Sequence, residues 1–157
     1  SGSISLSRAV PEPNMQALVN EAVLLETRLQ PNISHFFNLA VNEKDSLRKF
    51  LFLYWVLELH TNSTFAQLTS TGHQNYPARL QTAVSKIDKR KGWEKTIRQQ
   101  FIWCAIETWT GLDDTDFSNF EIAKDARDNI SHGNKIDHTA LPIEKLETLV
   151  RKALSYA

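Results

Sequence analysis

Leu47-Arg48-Lys49-Phe50-Leu51-Phe52-Leu53-Tyr54-Trp55-Val56-Leu57-Glu58-Leu59 is the stretch whose reading decides the fold. Apart from Arg48, Lys49 and Glu58, every residue in it is apolar or aromatic. Asp45, just ahead, is a residue type that accepts a hydrogen bond from the first turn of a helix. A helix that is apolar nearly all round must lie in the middle of a bundle with neighbours on most sides. Its apolar run, Phe50 to Leu59, is far shorter than the roughly 20 residues a bilayer requires, so the segment reads as core and no membrane contact is expected. Glu58 is the exception within it. A carboxylate there either occupies one exposed stripe or faces a charged partner in a polar cleft, because an unpaired buried charge costs several kcal/mol or neutralises itself.

Towards the N-terminus, a connector with Ile33, Phe36, Phe37 and Leu39 has room for a turn of helix. Before Pro31, the residues Met15, Leu18, Val19, Ala22, Leu25 and Leu29 recur at three- and four-residue steps, which predicts an amphipathic helix stopped by that proline. Pro11 and Pro13 punctuate an irregular lead-in, and Ser1-Gly2-Ser3 reads as a cloning remnant. Residues 1–13 are therefore set apart from a single helical domain over 14–157.

Towards the C-terminus, Gly72, Asn75 and Pro77 signal a loop, after which Leu80, Val84 and Ile87 predict a short helix. That helix runs into the densest basic cluster in the chain, Lys86, Lys89, Arg90 and Lys91. Cations suit a solvated helix C-terminus. The same residues, with Lys95 and Arg98 beyond Trp93, also form a candidate phosphate track. A helix is expected over Trp93 to Trp109. Another should begin near Phe117, capped by Asp113, Asp114 and Asp116, and run to Arg127. These acids lack the glycine and closing glutamate of a calcium loop, so capping is expected of them. A last helix follows Pro142, with Ile143, Leu146, Leu149, Val150 and Leu154 on one side. The expected fold is all-α, a four-helix bundle with one or two accessory helices.

Composition narrows the function. The chain has 157 residues, 41% of them hydrophobic and 10% aromatic, enough for one domain with its own core. Eighteen basic and eighteen acidic residues cancel, so any contact with RNA has to come from a local patch. The single cysteine, Cys104, excludes an internal disulfide and lies in an apolar run, where it reads as a buried thiol. With no visible signal peptide, a cytoplasmic location is expected. His35, His60, His73 and His138 share no metal-ligand spacing, and no cofactor is expected.

One octapeptide carries chemistry: Ala126-Arg127-Asp128-Asn129-Ile130-Ser131-His132-Gly133. Five helical steps of about 100° turn the chain roughly 500°, so Arg127 and His132 point about 140° apart on a continuous helix. Glycine is the usual residue where a helix ends in a left-handed cap, which puts His132 in the last turn. There the negative end of the helix dipole favours a cation.

The order Arg, a polar residue, three more, His, then Gly resembles the signature of the HEPN superfamily, small helical domains that commonly act as metal-independent ribonucleases or nucleotide-binding modules. The resemblance extends from Leu47 to the C-terminus. It implies that Arg127 and His132 are the catalytic pair, with Asp128 the polar position beside the arginine and Asn129, within the motif, a supporting residue. Many relatives have an acidic residue near a tryptophan on an early bundle helix, a pattern that Trp55 and Glu58 match one turn apart. It also implies a homodimer in which both motifs meet at one cleft.

That chemistry suits RNA cleavage. A histidine can serve as base or acid at neutral pH, and arginine presents a permanently charged fork to phosphate oxygens. The leading expectation is an endoribonuclease of toxin or defence type acting on tRNA or single-stranded RNA, with an antitoxin or a larger fused protein as a further partner. The second is a non-catalytic module that binds RNA, nucleotide or protein. In a third view, Arg127 and His132 only decorate a helix end, with the guanidinium bound to a carboxylate such as Asp125 or Glu121.

Overall fold

The computed structural model describes residues 29–68, 76–90 and 95–157, and every statement of structure below concerns these. The lead-in, most of the helix expected from Met15 to Leu29, the loop around Gly72, and Lys91 and Trp93 lie outside them. Within them the fold is all-helical, with α1 (Pro31–Asn42), α2 (Ser46–Ala66), α3 (Gln81–Ser85), α4 (Ile97–Glu107), α5 (Asp114–Ser131) and α6 (Ile143–Leu154), plus single 3-10 turns at Ala78–Leu80 and His138–Ala140.

The apolar stretch occupies the centre, as its composition requires. Asp45 caps α2 by accepting from the Arg48 N–H at 2.8 Å. Helix α2 then packs against α1, α4, α5 and α6. Its buried residues Phe50, Leu53, Tyr54, Val56, Leu57, His60 and Thr61 form one broad face of about 160°, and Leu51, Phe52 and Leu59 on the other side are half-buried. Burying each large apolar side chain contributes about 1.5–3 kcal/mol, so this one helix organises much of the hydrophobic stabilisation.

At the far end of the core the aromatic rings interlock. Phe101 and Phe120 stack at 4.2 Å, Phe101 meets Trp109 edge-on at 5.6 Å, and His60 stacks on Trp109 at 5.2 Å. The His60 ring lies buried with its Nε2 at 3.1 Å from the Ala153 carbonyl oxygen, and burial pulls its pKa below the ordinary histidine value. His60 is thus a core residue. Cys104 is buried as expected, and burial pushes its thiol up to about 12, which keeps it unreactive.

Several element boundaries differ from the expectations. The connector after Pro31 is a helix of 12 residues, and Pro31 begins it. Proline suits the first helical position because its missing N–H would have no partner there. Helix α4 begins at Ile97, where Thr96 caps it by accepting from the Gln99 N–H. Helix α5 starts at Asp114, earlier than Phe117, and Pro142 stands just before α6. The basic cluster begins at the end of α3, which stops at Ser85 with Lys86 as its C-cap, and Lys89 and Arg90 lie beyond it. Gly111, between α4 and α5, brings its N–H to 2.6 Å from the Tyr156 hydroxyl, an approach that a Cβ at that position would block.

Candidate functional site

Arg127 lies on the side of α5 that meets α2. Its guanidinium carbon sits 5.0 Å from the centre of the Tyr54 ring. Nη1 reaches Asp128 Oδ1 at 3.0 Å and Nη2 reaches Glu58 Oε1 at 3.4 Å. Glu58 is therefore neither a purely solvated residue nor an unpaired buried one. At 32% side-chain exposure it sits beside the arginine, which itself is 29% exposed. Tyr54 and Glu58 are four residues apart, so one face of α2 presents an aromatic floor and an acid to the same guanidinium. A cation over an aromatic ring contributes about 0.5–1 kcal/mol when exposed and more when desolvated. Burial pushes the Tyr54 hydroxyl up to about 12 against the pull of the Arg127 charge, so it stays protonated and acts as a floor, not as a base.

Asp128 also accepts from Lys124 Nζ at 2.6 Å. The carboxylates named from sequence as alternative partners of Arg127 serve otherwise or make no such contact: Glu121 accepts from Arg98 Nε at 2.8 Å, and Arg127 turns to Asp128 and Glu58. Neither Tyr54 nor Lys124 was singled out by sequence. The available signal was spacing, since Tyr54 is one turn before Glu58 and Lys124 is close to one turn before Arg127.

His132 ends the helix. It is the C-cap, and its backbone N–H donates to the Asp128 carbonyl at 3.0 Å. Gly133 follows at φ +72°, with its N–H on the Ile130 carbonyl at 3.0 Å, and the Asn134 N–H reaches back to the Asn129 carbonyl at 3.1 Å. Together these two bonds are a Schellman closure, which satisfies carbonyls that a helix end would otherwise leave open. The side chains of Asn129 and Asn134 pair at 3.0 Å over it, so Asn129 helps to hold the cap. The His132 imidazole is exposed and makes no hydrogen bond, ion pair or ring contact among the described residues. Arg127 faces α2 and the histidine faces solvent, as the helical angle between them requires.

The candidate phosphate track is described in part, without Lys91 and Trp93. Lys86, Lys89 and Lys95 are exposed, Arg90 is gathered onto Asp88, and Arg98 is engaged by Glu121. The fold does bring Lys86 and Arg98 to one cavity, together with Lys124. Asp113, Asp114 and Asp116 serve as caps and backbone acceptors. No group of three or more histidine, cysteine or carboxylate side chains among the described residues is placed to hold a metal. No helix there is long and apolar enough to cross a membrane. The chain matches no protein-family model, no curated protein and no solved structure.

Proposed function

We propose that the chain is a HEPN-type endoribonuclease of toxin or defence type that works as a homodimer. The observation that carries this reading is the setting of Arg127: clamped between Tyr54, Glu58 and Asp128 on the same helix that ends, capped by glycine, at an exposed His132. The guanidinium is oriented but not sealed, which suits a group that binds a phosphate arriving from solvent. In the reaction, the ribose 2′-oxygen forms a bond to phosphorus while the bond to the 5′-oxygen breaks. One histidine takes the 2′-hydroxyl proton, a second gives a proton to the leaving oxygen, and the arginines stabilise the phosphorane. The products are a 2′,3′-cyclic phosphate and a 5′-hydroxyl.

One chain supplies a single motif histidine, and the chemistry works best with two groups, which a two-fold dimer would supply. Trp55 lies next to Tyr54 on α2, is 40% exposed, and is backed by Phe36 at 5.4 Å and Phe52 at 5.8 Å. An interface formed on this face and on α5 would draw two Arg127 and two His132 into one cleft about a two-fold axis. Glu58 and Asp128 provide the counter-charge that two neighbouring arginines need. Incubation of the purified protein with tRNA or single-stranded RNA in EDTA should give fragments with cyclic phosphate ends. His132→Ala should lower the rate by about 10²-fold or more. Equal cleavage by that variant refutes the assignment, and a monomer at micromolar concentration refutes the composite site.

A second reading has its own observation. Two carboxylates already neutralise Arg127, which would suit a module that binds RNA, nucleotide or protein without cutting. In that case neither form cleaves and His132→Ala leaves binding unchanged.

A further inference from the structure

Beside the Arg127 region, where α3 ends and α4 begins, a cavity of about 270 Å³ is lined by Lys86, Asp88, Thr96, Arg98, Gln99 and Lys124. Three of these six side chains are cations. The one carboxylate turns both oxygens to Arg90, which lies outside the lining. Lys86 makes no ion pair among the described residues. Arg98 uses only Nε on Glu121, which leaves both terminal nitrogens of its fork unengaged by the described residues. Lys124 spends its charge on Asp128. The buried Gln99 amide fixes the wall, donating to the Lys86 carbonyl at 2.8 Å and accepting from the Asp88 N–H at 2.9 Å. Cations held around a rigid concavity, two of them with unspent donors, are what a tetrahedral anion requires. The volume is just under the roughly 300 Å³ at which small-ligand sites begin and is ample for a phosphate group.

We propose that this cavity binds a phosphate group. Lys124 and Arg127 are three residues apart on α5, about 4.5 Å along its axis, so the cavity opens one turn from the motif arginine. As a subsite for a backbone phosphate of RNA running to Arg127 it rests on the function proposed above. As a phosphate site it stands on its own lining.

The test keeps the two apart by measuring binding in the His132→Ala background with EDTA, where RNA stays whole. Fluorescence anisotropy of a labelled single-stranded 12-mer RNA should show Lys86→Glu binding at least fivefold more weakly. The slope of log affinity against log salt should fall by about 0.7, the share of one single-strand phosphate. Lys145→Glu, the same charge change at an exposed site on α6, should leave both unchanged. In parallel, inorganic phosphate titrated into ¹⁵N-labelled protein should move the Gln99 side-chain amide and the Thr96 backbone amide, less so in Lys86→Glu. Phosphate shifts without RNA binding assign the site to a free anion. Loss of RNA binding by Lys86→Glu in a protein that never cleaves RNA keeps the site and removes the nuclease. If Lys86→Glu and Lys145→Glu behave alike and phosphate moves neither amide, the proposal is overturned.

Discussion

The side chains at the two ends of α5 are used in opposite ways. At the N-terminal end the cap is local, but its acids also reach other elements. Asp113 accepts from the N–H groups of Thr115 and Asp116 at 2.8 and 3.2 Å, and Asp116 returns a carboxylate to the Asp113 N–H at 3.0 Å. Asp116 also pairs with Lys152 on α6, and Asp114 accepts from the N–H groups of Thr82 and Ala83 at 2.9 and 3.0 Å. Acids at the positive end of the dipole thus tie three elements together. At the C-terminal end the chain closes on itself through Gly133 and Asn134, and nothing from another element is needed. Both ends satisfy their own backbone locally, but the side chains of the N-terminal end are spent on other elements and become scaffold, whereas those of the C-terminal end are left free for a ligand.

The sharpest way to break that contrast is at the tied end. Asp116→Ala removes half of the capping box and the partner of Lys152. Because Lys152 is 37% exposed and can rehydrate, the expected cost is about 2 kcal/mol and not the full penalty of an orphaned buried charge. Urea denaturation measures it, and a cost below that of Gly133→Ala would remove the distinction between scaffold and free end.

Gly133→Ala comes next. No atom lies within 4 Å of where its Cβ would stand, so the penalty is conformational alone, from a φ of +72°. It should amount to about 1–2 kcal/mol, with Gly133→Asn costing less because asparagine tolerates that region. The same denaturation curves decide whether the order glycine, asparagine, alanine holds.

Asp114 sharpens the comparison through pH. Burial raises its pKa, but the hydrogen bonds from Thr82 and Ala83 outweigh that and hold the carboxyl below its ordinary value of 3.8. A folded value below the unfolded one means that unfolding takes up a proton. The stability it contributes is therefore complete above pH 3.8 and is lost as pH falls through the lower folded value. Thermal melts should show Asp114→Asn less stable than the parent at neutral pH, with the gap closing on acidification. A gap independent of pH would contradict the assignment.

The smallest change in stability belongs to His132→Ala, within about 0.5 kcal/mol, since the exposed ring supports nothing in the fold. This variant, silent in denaturation, is the one expected to lower RNA cleavage by about 10²-fold or more. A large loss of stability instead would return His132 to the scaffold.

Much of this division was legible beforehand. The Asp45 cap, the central position of α2, the acidic start of α5 and its glycine-capped finish at His132 follow from residue types at i, i+3 and i+4 spacing. The connector after Pro31 is a full helix where a turn was expected, because proline fits a first helical position as well as a stop and the residue type alone does not tell the two apart. The start of α4 was misplaced for a related reason: Trp93 continues an apolar pattern, while the cap at Thr96 is a matter of local geometry.

What the sequence determined by itself is local: which segments are helical, which face of each is apolar, and that Arg127 and His132 diverge. Helical angles and caps depend on neighbours within a turn, so they are written in adjacent residues. Which acid meets Arg127 was decided only by the tertiary structure. Asp125, Glu121 and Glu58 were all eligible, and the rotation of α5 against α2 selected Glu58, 69 residues away, together with the adjacent Asp128 and the Tyr54 ring. The cavity joining Lys86, Arg98 and Lys124 arises in the same way. Charges separated in sequence converge only when helices cross, and crossing is fixed by how whole apolar faces pack.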